Sequence, residues 1–121
     1  MIEFTLDKDL AVLHVRPTGP LSKADFDSLA ETVDPFIEQM GEVKGLLLEV
    51  ARFPGWEDIG AAVRHIRFVR NHHRKIKRVA IVTDFMLGEA AEHVASHFVA
   101  AEIQHFRPDC LREAKEWLET R

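Results

Sequence analysis

The chain has 121 residues, about one domain's worth, with 46% hydrophobic and 30% charged residues. That balance belongs to a folded domain and excludes a disordered chain, which would be poor in apolar residues. Sixteen Lys and Arg against 20 Asp and Glu give a formal charge of −4, and an acidic domain without a recognisable reading motif is not expected to bind nucleic acid. Residues 2–6 alternate apolar and polar side chains, the period of a strand. Asp7-Lys8-Asp9 makes a polar turn into a second strand at residues 10–15, and so short a connection predicts an antiparallel hairpin. Pro17, Gly19 and Pro20 then break the chain. Ser22 and Asp25 stand at capping-box spacing. Behind them Phe26, Leu29, Ala30, Val33, Ile37 and Met40 recur at helical spacing and predict a buried face. Pro35 removes one backbone donor, which predicts a kink or a break into two shorter helices. Gly41 is the expected C-cap.

Lys44-Gly45 leads into residues 46–50, whose nearly unbroken apolar run predicts a strand buried on both faces. Phe53-Pro54-Gly55 is a turn. A second helix is expected from Trp56 to about His72, with Ile59, Ala62, Val63, Ile66 and Val69 inward. Residues 78–83 form another buried strand, residues 87–98 a third helix, and residues 101–106 a short last strand. Asp109 is placed to cap a closing helix striped by Leu111, Ala114, Trp117 and Leu118. The order β-β-α-β-α-β-α-β-α predicts an α/β fold: a mixed, mostly parallel five-stranded sheet with helices packed on it. No composition shift or linker divides it, so residues 1–121 read as one domain. The longest apolar runs hold about four residues against the roughly 20 that cross a bilayer, so no transmembrane segment is expected. The first residues lack the pattern of a secretory leader, and Cys110 is the single cysteine. A cytoplasmic setting is the expectation.

Several pieces, taken in this order, resemble one family. They are Gly45-Leu46-Leu47-Leu48-Glu49-Val50, the Phe53-Pro54-Gly55-Trp56 turn, Arg78-Val79-Ala80-Ile81-Val82-Thr83-Asp84, and the closing Phe106-Arg107-Pro108 with Glu113-Ala114-Lys115-Glu116-Trp117-Leu118. Together they resemble the SpoIIAA-like family of the STAS fold, over nearly the whole chain. The resemblance implies a non-enzymatic regulatory or protein-interaction domain, often self-associating as a homodimer, with a largely unassigned biochemical role. Sporulation members of that fold are switched by phosphorylation of a Ser that opens a helix after a buried strand. The matching residues 49–58 contain no Ser or Thr, and Glu57 and Asp58 would repel a phosphate there, so that switch is not carried over. The wider fold resemblance includes lipid-binding CRAL-TRIO domains, which implies a carrier or sensor of a small apolar or lipid-like acid as the alternative.

Chemistry-bearing residues fall into three groups. Arg64, Arg67, Arg70, Arg74, Lys75, Lys77 and Arg78 lie within residues 64–78 with no acid among them. That segment is +7, and the rest of the chain, nine cations against 20 acids, is −11. Arg64, Arg67, Arg70 and Arg74 make a candidate face for phosphate, an anionic lipid headgroup, an anionic membrane surface or an acidic partner. The plainer reading is a solvated face whose cations favour a helix C-terminus. In carrier form, Arg64 or Arg67 would receive the ligand's anionic group. Glu89, His93 and His97 stand four residues apart and are candidate zinc ligands. The row faces away from Ala91, Val94 and Phe98, as a solvated face does, and no metal or cofactor is expected. The third group gathers at the carboxyl ends of the parallel strands, where ligands of open α/β sheets bind. There Arg52, Phe53, Trp56, Asp84, Phe85 and Met86 suit a small amphipathic ligand or a partner's helix. Alternatively the rings close the core and Asp84 caps the next helix. Cys110 is either a thiol activated by a helix N-terminus or a small buried residue. No G-x-S-x-G, G-x-G-x-x-G or P-loop occurs. With no catalytic motif an enzyme is not expected, and acid–base work by Asp84 and a nearby histidine is the remaining alternative.

Overall fold

The computed structural model describes residues 1–50, 55–83 and 102–119, with His73 described by its backbone alone. Strands β1 (Ile2–Asp7) and β2 (Val12–Pro17) pair antiparallel, with Phe4 opposite Val15 and Thr5 opposite His14. The turn runs further than the sequence predicts. Asp7 Oδ1 accepts the N–H groups of Asp9 and Leu10, and Ala11 takes a left-handed φ of 57°, so β2 begins at Val12 rather than Leu10.

Helix α1 (Lys23–Met40) opens on the expected capping box. Ser22 Oγ accepts the Asp25 N–H at 3.2 Å, and Asp25 Oδ2 accepts the Ser22 N–H at 2.8 Å. Gly41, at φ 89°, closes the helix by donating to the Ile37 carbonyl at 2.7 Å. The break expected at Pro35 does not occur, because α1 is one helix of 18 residues. Pro35 and Glu31 both lie on the exposed side, where the carbonyl that loses its donor can turn to water. The inward residues are Phe26, Leu29, Val33 and Phe36. Met40, expected inward, is exposed.

Strand β3 (Val43–Glu49), helix α2 (Ile59–His72), a 3-10 turn (His73–Lys75) and β4 (Ile76–Val82) follow. Then come β5 (Glu102–Phe106), a 3-10 turn (Pro108–Cys110) and helix α3 (Leu111–Glu119). The helix expected at residues 87–98 lies outside the described residues. The five strands are ordered β1-β2-β3-β4-β5, and every pair after the hairpin is parallel. The mixed α/β sheet is the one the sequence predicts.

Strand alternation divides the core between the two sheet faces. Leu13, Val15, Leu46, Val79 and Ile81 pack with Phe26, Leu29 and Val33 of α1. On the other face Leu47, Ala80 and Val82 pack with Ala114 and Leu118 of α3. Gly45 lets α3 approach: a Cβ there would lie 3.0 Å from Leu118 Cδ2 and 3.1 Å from its Cβ. Asp109 does not cap α3 in the expected way. It lies inside the preceding turn, where its carboxylate meets Arg107 and the Cys110 thiol.

Candidate interaction surface on the second helix

Asp58 Oδ1 accepts the Ala61 N–H at 2.8 Å, so α2 starts at Ile59, three residues later than expected. Trp56 instead pairs beside Leu21, whose backbone bonds Gly55 and Glu57 at 2.8 Å each.

α2 carries two stripes at helical spacing, and one of them must face away from the sheet. Ala61, Val69 and His72 are buried and Phe68 is half-buried. Ile59, Val63 and Ile66 are 84%, 48% and 56% exposed. The expectation that these three branched residues line the core is therefore overturned. The inward stripe brings polar groups with it, and each described one finds a partner. Phe26 stacks on His65 with ring centroids 4.9 Å apart. Trp56 meets the same imidazole edge-on at 5.9 Å and donates from Nε1 to His65 Nδ1 at 3.0 Å. Phe68 packs on Phe26 and stacks on His72 at 4.0 Å. His72 Nε2 lies 2.5 Å from Asp34 Oδ1 of α1, and its Nδ1 lies 2.6 Å from the Phe68 carbonyl oxygen. Arg64 pairs with Asp27, also on α1. Aromatic stacking, the His72–Asp34 contact and the Arg64–Asp27 ion pair thus hold α2 in one rotation against α1.

That rotation sets Ile59, Val63, Ile66 and Arg70 in an outward row, at i, i+4, i+7 and i+11. Arg67, Arg70, Arg74, Lys75 and Lys77 are all exposed, and among the described residues no ion pair engages them. The other two cations of the +7 segment are used elsewhere. Arg64 faces α1. Arg78 belongs to the opposite sheet face, where it donates to the Trp117 carbonyl at 2.8 Å, lies 5.1 Å from the Trp117 ring centroid and pairs with Glu102 at 3.3 Å. The four arginines read from the sequence as one face are therefore divided. Arg67, Arg70 and Arg74 remain exposed, and Arg64 is a tether.

Of the six residues placed at the strand-end edge, Trp56 is described. Its ring lies against His65 of α2. Arg52, Phe53, Asp84, Phe85 and Met86 lie outside the described residues, as do Glu89, His93 and His97. Among the described residues no group of three His, Cys, Asp or Glu side chains is arranged to hold a metal ion. His105 Nε2 donates to the Thr83 carbonyl at 2.9 Å. His14 Nε2 is 3.6 Å from Glu49 Oε2 and has no hydrogen-bond partner among the described residues. The Cys110 thiol is pushed up by burial and by the nearby carboxylates of Asp109 and Glu113, the reverse of activation by a helix terminus. Sequence reasoning missed His65, Asp27 and Asp34, which carry no motif of their own. Their signal was His65 and Phe68 standing three apart on the helix side opposite the aliphatic row.

A layered α/β domain with a parallel sheet, an opening hairpin and a helix on the far face is the class this geometry defines. The SpoIIAA-like family model matches residues 12–119, and the chain belongs to that family. Its fold is similar to an uncharacterized protein of the DUF3478 family with a SpoIIAA-like fold from Shewanella loihica PV-4. The two share 24% identity and a TM-score of 0.73, over 97% of this chain and 93% of that one. A search of curated proteins found no match.

Proposed function

We propose that the chain is a regulatory or interaction domain that works by docking the outward face of α2 on a partner, without transforming a substrate. One observation carries this reading: α2 turns Ile59, Val63 and Ile66 to water while it buries His72. Single exposed aliphatic residues are ordinary, whereas neighbouring ones flanked by charge mark a contact surface. The acid and imidazole of the seam support the same reading, since His72 and Asp34 hold two helices together. Self-association, which the family resemblance implies, is then expected through another surface, because two α2 faces set together would oppose like charges.

The test is a photo-crosslinking phenylalanine analogue at position 63, irradiated in host cells, with the same group at exposed Thr32 of α1 as control. Adducts at position 63 that disappear in Ile59→Ser/Ile66→Ser are expected. Absence of adducts at position 63, or equal adducts at both positions, overturns the reading.

A further inference from the structure

We propose that the outward face of α2 rests on an anionic bilayer, with Ile59, Val63 and Ile66 entering the headgroup boundary and Arg67, Arg70 and Arg74 on the anionic headgroups. This rests on the docking reading above and names its partner. The face has the composition of an interfacial helix: an aliphatic row exposed to water, with cations continuing the row at Arg70 and flanking it at Arg67. Its charge is spread along the surface. Five exposed cations run from α2 through the 3-10 turn into β4, ending at Lys77, as suits a field of headgroups more than one point ligand. Arginine forks also match phosphate oxygens two at a time. The balance of −11 outside residues 64–78 gives the molecule a charge polarity that an anionic surface would orient.

Other occupants fit less well. A standard protein interface takes roughly 800 Å2 from each partner, of which three aliphatic side chains fill only part. A bilayer needs no complementary groove. A second copy docked through the same helix would set two cation-rich segments against each other. No helix among the described residues is long and apolar enough to cross a membrane, and the contact proposed for α2 is peripheral.

The experiment is co-sedimentation of the full chain with vesicles of phosphatidylcholine alone, or with about one third phosphatidylglycerol. Binding to the anionic vesicles alone, reversed by added salt, is expected. Arg67→Gln/Arg70→Gln should weaken it roughly 30-fold, and Ile59→Ser/Val63→Ser/Ile66→Ser roughly tenfold. Lys115→Gln, at an exposed position of α3, should leave it unchanged. All these side chains are at the surface, and matching circular dichroism and urea midpoints establish that each variant folds. The arginine pair keeps the test decisive should the triple variant unfold. Failure to bind anionic vesicles overturns the proposal, as does equal weakening by Arg67→Gln/Arg70→Gln and Lys115→Gln. If vesicles are not bound while position 63 still crosslinks to a protein, the bilayer is wrong and the docking reading stands. Failure of both experiments removes both.

Discussion

Asp25 shows how one carboxylate is tuned by its place in the chain. Burial pushes its carboxyl up, but the Ser22 backbone N–H, the Met1 ammonium at 2.9 Å and the Ser22 hydroxyl together hold it below the ordinary value. A group depressed in the folded state contributes stability above its unfolded value of about 3.9, and the contribution disappears as pH falls through the lower folded value. Asp25→Asn should therefore lower the urea midpoint at neutral pH, and its gap from the parent should close as the solution is acidified through about pH 4 and below. A gap that stays constant across that range would contradict the assignment. Ser22→Ala should cost about 1 kcal/mol at neutral pH. Cys110 is shifted the other way. Its alkylation by iodoacetamide should rise at a pH above the roughly 8.5 of an unperturbed thiol, and Asp109→Asn should move that midpoint down. A midpoint unmoved by the substitution would leave Asp109 without the influence given to it. These local features differ in how legible they were. Ser22, Asp25 and Gly41 were readable because their partners lie within four residues. The partners of Arg64, His72 and Arg78 lie 37 to 39 residues away, where spacing carries no information.

The helices show the same divide at the scale of elements. α1 has one apolar stripe, so its inward face was readable apart from its last turn, where Met40 emerges. α2 has two, and the aliphatic stripe is the more hydrophobic by residue type. The fold chooses the other because Phe26, Asp34 and Asp27 of α1 receive Phe68, His65, His72 and Arg64, and Trp56 closes on His65. Composition ranks stripes by apolar content, whereas packing ranks them by fit to what is opposite. His72→Ala should cost about 1–3 kcal/mol, since it removes a buried ring that stacks on Phe68 and bonds Asp34 across the helix pair. α3 depends on Gly45, which reads from sequence only as a turn signal before a strand. Gly45→Ala should destabilise by about 1–3 kcal/mol as its methyl meets Leu118. Leu118→Ala should cost less on that background than alone, because it removes Cδ2 and Cγ, two of the three atoms the new methyl meets. Additive urea midpoints would mean that the close approach is not what Gly45 serves.

For the whole molecule, the α/β class, the five strands and the opening hairpin were legible because alternating strand and helix periods leave few topologies open. The function was not, because no catalytic motif marks the sequence and no metal-binding cluster marks the described residues. What distinguishes the surface is the rotation of one helix, which decides whether three aliphatic side chains enter the core or face outward. Urea denaturation of Ile59→Ser/Val63→Ser/Ile66→Ser tests that rotation directly. Exposed side chains predict a free energy of unfolding within about 1 kcal/mol of the parent. A loss of several kcal/mol, as when buried aliphatic side chains are truncated, would put the row in the core and remove the proposed docking face with it.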